Sequence, residues 1–347
     1  MAKVICLFNH KGGVSKTTTA FNLGWKLAEK GHKVLLADCD PQCNLTGMIL
    51  GFRGIADLEQ IYNQPVANNI RDALSPAFES KPSAIEPAEV FDIEGNANLH
   101  LLAGHIGLSE YETTLGVAQE LTGSLLPLKN LPGSIRYLFD LTAEKVNADY
   151  VIVDMSPSLG PLNQNILTTS DYFIVPLHPD YFSSMALSSL ARTLPRWKQW
   201  ANMASRMELL QNANYPFPES NVKFIGSIVQ KYRPRNGQAS AAFQKWIDEL
   251  RDNLISLLIP KLVEFDMLDV VEFEQKAGMP PSDPIMEVSD FNSLIAMSQE
   301  FQVPVYTLTA QQTGQKGAVW DQTEKNMTVF SAAFDTCAER VIALTRD

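Results

Sequence analysis

Ten residues near the start of the chain combine the types that chemistry on a phosphate anhydride needs: His10-Lys11-Gly12-Gly13-Val14-Ser15-Lys16-Thr17-Thr18-Thr19. Glycines lack Cβ and tolerate positive φ, so a glycine-containing loop can turn several backbone N–H groups toward one anion. Lys16 would place a point charge on β- and γ-phosphate oxygens, and the Thr17 hydroxyl would reach Mg²⁺. The general phosphate-loop pattern is G-x-x-x-x-G-K-[ST]. Here His10 and Ser15 stand at the two outer glycine positions, and Lys11 adds a second cation. Asp38 and Asp154 each close a short apolar run, and Asp40 lies just past the first of them. Carboxylates at strand ends beside phosphates can orient water or hold a metal through water.

The elements that must position these groups follow from hydrophobic pattern. Residues 4–8 are a continuous apolar run, as in a strand covered on both faces. Residues 17–30 carry Phe21, Leu23, Leu27 and Ala28 at near-helical spacing, and Gly31 stops them. Residues 34–37 form the next buried strand and lead into Asp38. Strand, helix and strand with short links make a βαβ unit with a right-handed crossover. The same grammar returns in strands at 99–102, 151–154, 173–175, 224–229 and 303–308, and in a helix at 134–146. The pattern predicts an α/β fold with a doubly wound, mostly parallel sheet flanked by helices. It is read as one domain over residues 1–347, with helical and loop insertions at about 51–98 and 258–302.

Composition narrows the class. Of 347 residues, 45% are hydrophobic and 19% charged, as in globular proteins. A net charge of −11 argues against a general nucleic-acid binder, although a local basic patch remains open. Cys6, Cys39, Cys43 and Cys337 are too scattered for a disulfide scaffold, and Cys39 and Cys43 lack zinc-ribbon spacing. The N-terminal apolar run is too short for a signal peptide, and no run approaches the ~20 residues that span a bilayer. A cytoplasmic protein, in the nucleoid if it meets DNA, is the expectation.

Four ordered stretches carry a resemblance. Lys11 to Thr19 resembles the deviant Walker A motif, K-G-G-x-G-K-[ST], of the ParA/MinD ATPases. Asp38-Cys39-Asp40-Pro41-Gln42-Cys43-Asn44 resembles that family's D-x-D-P-Q-x-N box. Asp154-Met155-Ser156-Pro157-Ser158-Leu159-Gly160 resembles its Walker B stretch. Residues 171–182, with Pro179-Asp180-Tyr181-Phe182, resemble its I-P-x-x-P-E-Y-F stretch. Pro41-Gln42 and Pro157-Ser158-Leu159-Gly160 are closer to the ParA (Soj-like) branch. Ser15 departs from the family, which has Gly there.

The resemblance implies a P-loop ATPase that binds ATP and Mg²⁺, with two subunits sandwiching two ATP molecules. Lys11, Gly12, Gly13, Val14, Ser15, Lys16, Thr17 and Thr18 would bind the phosphates. Lys11 would reach the partner's phosphates, as an arginine finger does. Asp40 matches the acid that positions the attacking water. Thr17 and Asp154 would hold the metal, with Asp38 supporting either its waters or the loop. Gln230 and Tyr232 fall in the stretch where relatives place the base. Non-specific DNA binding by the dimer would use Arg192, Arg196, Lys198, Arg233 and Arg235, and a partner protein would stimulate hydrolysis. Two functions follow: a partition-type ATPase that positions DNA or cargo, or an ATP-dependent dimer switch acting through protein contacts in defence or assembly. A reductase-type relative with an iron–sulfur cluster would need paired cysteines mid-chain, and residues 44–336 have none. Residues 328–347 lack the basic amphipathic pattern of a membrane-targeting helix.

Overall fold

The computed structural model describes residues 1–51, 55–120, 126–232, 234–235, 238–239, 241–289 and 292–346. The strands are β1 (Lys3–Leu7), β2 (Val34–Cys39), β3 (Phe91–Asp92), β4 (Leu99–Leu102), β5 (Tyr150–Met155), β6 (Tyr172–Leu177), β7 (Lys223–Tyr232), β8 (Pro234–Arg235), β9 (Gln238–Ala239) and β10 (Met286–Ser289). Eight of them form one sheet in the order β10-β7-β6-β1-β5-β2-β4-β3. Only the short β3 edge runs antiparallel, and β8 and β9 pair as a separate two-stranded ribbon. The central strands are buried along their whole length, which is why they read as unbroken apolar runs instead of alternating ones.

Helix α1 (Lys16–Glu29) crosses from β1 to β2, and β5 lies between them. Gly24 allows this helix to sit close on the sheet, since a Cβ there would fall 2.6 Å from Leu36 Cδ2. The closing helix, Ala318–Thr345, packs beside α1, and helices Ile70–Phe78, Leu108–Glu120, Leu131–Val146 and Pro161–Thr169 pack against one another as a second group. One apolar cluster runs from Val4 to Leu344 through these layers.

The expected strand at 303–308 does not form. Val305–Thr307 is a single 3₁₀ turn that follows Pro304, and Thr307 N donates to Pro304 O. The sheet's outer strand is instead β10, inside the stretch read as an insertion, and it pairs in parallel with β7. Pro280, Pro281 and Pro284 hide it in the sequence. Residues 51–98 carry helices Ile55–Tyr62 and Ile70–Phe78 and strand β3. No described helix is long and apolar enough to cross a membrane.

Candidate functional site

The phosphate loop leaves the C-terminal end of β1 and enters α1, beside the ends of β2, β5 and β6. Ligands of open α/β sheets bind at such strand ends. Asn9 fixes the loop: its Nδ2 donates to Pro176 O at 2.8 Å and its Oδ1 accepts from Lys11 N at 2.9 Å. Ser15, where relatives have Gly, adopts the left-handed conformation that glycine would, with φ 57° and ψ 35°. Holding a non-glycine residue there costs about 1 kcal/mol. No side chain caps α1, and its first turn carries no acid. The N–H groups and positive dipole end are therefore open to an anion.

Lys16 is buried, with Nζ 2.9 Å from Asn9 O and 3.4 Å from Lys11 O. Its pKa is lowered by burial, against the opposing pull of Asp154 and Asp40. A desolvated ammonium held only by carbonyls is ready to bind an anion. The loop, Asp40, Gln42, Asn44 and Pro157 line a cavity of about 490 Å³, and Lys16 is the one cation among its described lining residues. A larger hollow, about 610 Å³, lies around Lys3, Tyr137, Asp140 and Tyr150, but its lining includes neither the phosphate loop nor a strand's C-terminal end.

The three aspartates separate by environment. Asp38 and Asp154 are directly paired across β2 and β5. Both Asp38 oxygens are engaged: Oδ2 accepts from Thr46 N at 2.8 Å and Thr46 Oγ1 at 2.6 Å, and Oδ1 accepts from Asp40 N at 3.2 Å. Thr46 Oγ1 in turn accepts from Gly104 N at 2.8 Å. Asp38 thus pins helix α2 (Asn44–Leu50) to β2, and of the expected metal set it is the acid whose two oxygens are both engaged by protein donors. Asp154 is 1% exposed, and neither carboxylate oxygen has a hydrogen bond of ordinary geometry. Burial pushes its pKa up, the Asp38 charge adds to the rise, and the nearby Thr17 hydroxyl and Lys16 oppose it. An orphaned buried carboxylate beside a hydroxyl and a phosphate loop fits a divalent cation. No group of three or more His, Cys, Asp or Glu ligands occurs among the described residues, so such an ion would rest on Asp154, Thr17, water and phosphate. Asp40 is buried at the cavity wall, and its Oδ1 accepts from Gln42 N at 3.0 Å.

The raised pKa of Asp154 gives a stability prediction. An acid with a raised folded value holds its proton more tightly when folded. Its contribution therefore favours folding at low pH and is lost as pH rises from about 4 through the raised value. Asp154→Asn is expected to stabilise the free chain above pH 7 by about 1–2 kcal/mol. It should also remove the Mg²⁺-dependent part of stabilisation by ATP. Thermal melts across pH, with and without Mg-ATP, check both; a lower melting temperature for the free variant would contradict the assignment.

The model of a family described as an AAA domain (AAA_31) matches residues 2–207, more than half of the chain. An uncharacterized protein of Methanocaldococcus jannaschii is 35% identical over 60% of this chain and 70% of its own. The sporulation initiation inhibitor protein Soj of Bacillus subtilis is 36% identical over 56% of this chain and 65% of Soj, a little under two thirds of its length. The chain belongs to the ParA/MinD family of ATPases. A Cyanothece McdA–ATP complex shares the fold, with a TM-score of 0.55 at 17% identity over 96% of each chain.

Several expected ParA/MinD positions sit elsewhere than the phosphate cavity. Lys11 is turned onto Asp180, with Nζ 2.6 Å from Oδ2. Gln230 is buried, and its Nε2 donates to Thr19 Oγ1, so the side chain ties β7 to α1. That bond takes Gln230 out of the expected nucleotide contacts. The Tyr232 side chain and Arg233 lie outside the described residues, as does the Arg235 side chain. The cavity wall opposite the loop comes instead from Ile295 and Gln299, on helix Asn292–Phe301. Nothing in their spacing from residue 16 announces this; chain order alone cannot place a helix some 280 residues away.

The basic set also divides. Arg192 and Arg196 are exposed on one face of helix Tyr181–Ala204, which continues through Pro195, and neither pairs with an acid among the described residues. Lys198 is 3% exposed and donates to Ser220 O, and burial, then the Lys223 charge, lowers its pKa. It is a structural cation and leaves the expected DNA-binding set.

Proposed function

We propose that this chain binds Mg-ATP at residues 11–18, pairs with a second copy across two nucleotides, and hydrolyses ATP weakly unless a partner protein stimulates it. The observation that carries the reading is the buried Asp154 carboxylate, with no hydrogen bond of ordinary geometry, beside Thr17, Lys16 and an uncapped helix start. Cation, open N–H groups and carboxylate together suit phosphate plus metal. The ATP bound in the Cyanothece McdA complex and the ParA/MinD kinship agree with it.

In this mechanism Lys16 and the N–H groups of residues 12–18 hold the β- and γ-phosphates. Thr17 and Asp154 would hold Mg²⁺, which when bound would supply charge neutralisation at the phosphates. Asp40, at the cavity wall, orients the attacking water and accepts its proton. One lysine in the cavity is few cations for a triphosphate; the second, Lys11, comes from the partner copy. Ile295 and Gln299 flank the nucleoside.

The cycle of pairing and release then positions DNA or other cargo, in keeping with the name of a Myxococcus xanthus relative, chromosome partitioning protein ParA. Arg192 and Arg196 supply the phosphate contacts on DNA. A switch acting through protein contacts is the second reading, and exposed Tyr181, Phe182 and Met185 on the same helix favour it. Binding to non-specific duplex DNA, titrated with and without Mg-ATP across salt, separates them. The partition reading expects ATP-dependent binding that weakens steeply with salt, and a loss of about tenfold or more on changing Arg192 and Arg196 together to Glu. Salt-insensitive or ATP-independent binding would leave only the switch.

A further inference from the structure

Lys11 does not line the phosphate cavity. Its backbone is anchored there by Asn9, but its ammonium lies 2.7 Å and 2.6 Å from the two oxygens of Asp180 and 3.2 Å from Ser183 Oγ. Asp180 is also the N-cap of helix Tyr181–Ala204, where Oδ1 accepts from Ser183 N at 2.8 Å. His178 Nδ1 lies 3.3 Å from the other oxygen, and His178 N donates to Ser183 Oγ at 3.0 Å. The Lys11 side chain is 17% exposed in this nest. Two groups, the Asp180 carboxylate through both oxygens and the Ser183 hydroxyl, thus hold one ammonium outside the cavity lining.

We propose that Asp180 is a positioning residue for Lys11: it holds the ammonium within its own chain while the chain is free, and competes with the phosphates that Lys11 meets in the ATP-joined pair. The proposal rests on the dimeric reading above. One ammonium cannot serve both anions, so pairing requires the Lys11–Asp180 bond to break. A partly exposed ion pair is weak, so the hold is a threshold and not a block. Its setting is coupled to the helix that displays Tyr181, Phe182, Arg192 and Arg196, because the residue that gives up Lys11 is that helix's cap.

Asp180→Asn separates charge from cap, since Asn caps a helix start as well as Asp does. Full-length chain is titrated with Mg-ATP and with Mg-AMPPNP, and dimer is read by sedimentation velocity. Asp180→Asn should lower the nucleotide concentration for half-dimerisation by about 3–5-fold. Asp180→Glu, which restores a carboxylate, should return it toward wild type. In a Lys11→Ala background Asp180→Asn should change nothing further. An unchanged or raised midpoint, or the same shift without Lys11, overturns the competition.

A second readout is independent of pairing. In nucleotide-free chain, the acetylation rate of Lys11 by sulfo-NHS acetate, followed by peptide mass spectrometry, should rise about threefold or more in Asp180→Asn. An unchanged rate overturns the hold itself. A wild-type chain that stays monomeric at saturating Mg-ATP overturns the dimeric reading and, with it, the competition, while the acetylation result still reports separately on the ion pair.

Discussion

Lys16→Ala is expected to weaken Mg-ATP binding by at least about 100-fold, since two charge-assisted contacts at about 1.5 kcal/mol or more each are lost. Isothermal titration of full-length chain reads it directly. The free variant should melt no lower than wild type. Lys16 is a buried ammonium whose pKa is lowered by burial, and its partners Asn9 O and Lys11 O are carbonyls that water can satisfy at the cavity. Removing it relieves a desolvated charge. The two outcomes together matter, because a loss of binding that came with a lower melting temperature would only report damage to the loop. Binding within about threefold of wild type would remove the phosphate site from this loop.

Asp40→Ala should do the converse. ATP binding should stay within about threefold, ATP-dependent pairing should persist, and turnover should fall by about 100-fold or more, the range of a positioned acid or base. The structural reason is the division of labour among three carboxylates. Asp38 is consumed by Thr46 and the Asp40 backbone, and Asp154 is orphaned beside Thr17. Asp40 alone faces the cavity with one oxygen still uncommitted, since Oδ1 accepts from Gln42 N. Single-turnover hydrolysis with saturating Mg-ATP checks the claim. Normal turnover by Asp40→Ala would move the water-positioning role to another group.

The sequence made the phosphate loop legible because its chemistry is local. A strand, a glycine turn, a lysine and a helix start are contiguous, and contiguity fixes their geometry. The apolar runs of β1, β2, β5, β6 and β7 were legible for a related reason, since strands buried on both faces show no alternation. Even Ser15 follows, because the backbone there is set by the loop and takes φ 57° without glycine.

What sequence could not rank was the use of identical residue types. Asp38 and Asp154 both end buried strands beside the loop, yet one is filled by Thr46 and the other is left open, and the difference lies in a helix that folds back eight residues later. Arg196 and Lys198 are neighbours in the chain, but helical rotation sends one to solvent and the other beneath Ser220. The outer strand was sought at 303–308 and formed at Met286–Ser289, because pairing with β7 outweighs the local apolar run. By itself, then, the sequence determined the family, the βαβ frame and the glycine loop between β1 and α1. Only the tertiary structure decided which buried carboxylate lacks hydrogen-bond partners of ordinary geometry, which helix lines the cavity wall and where the Lys11 ammonium rests, because each depends on groups far apart in the chain competing for the same lone pairs and protons.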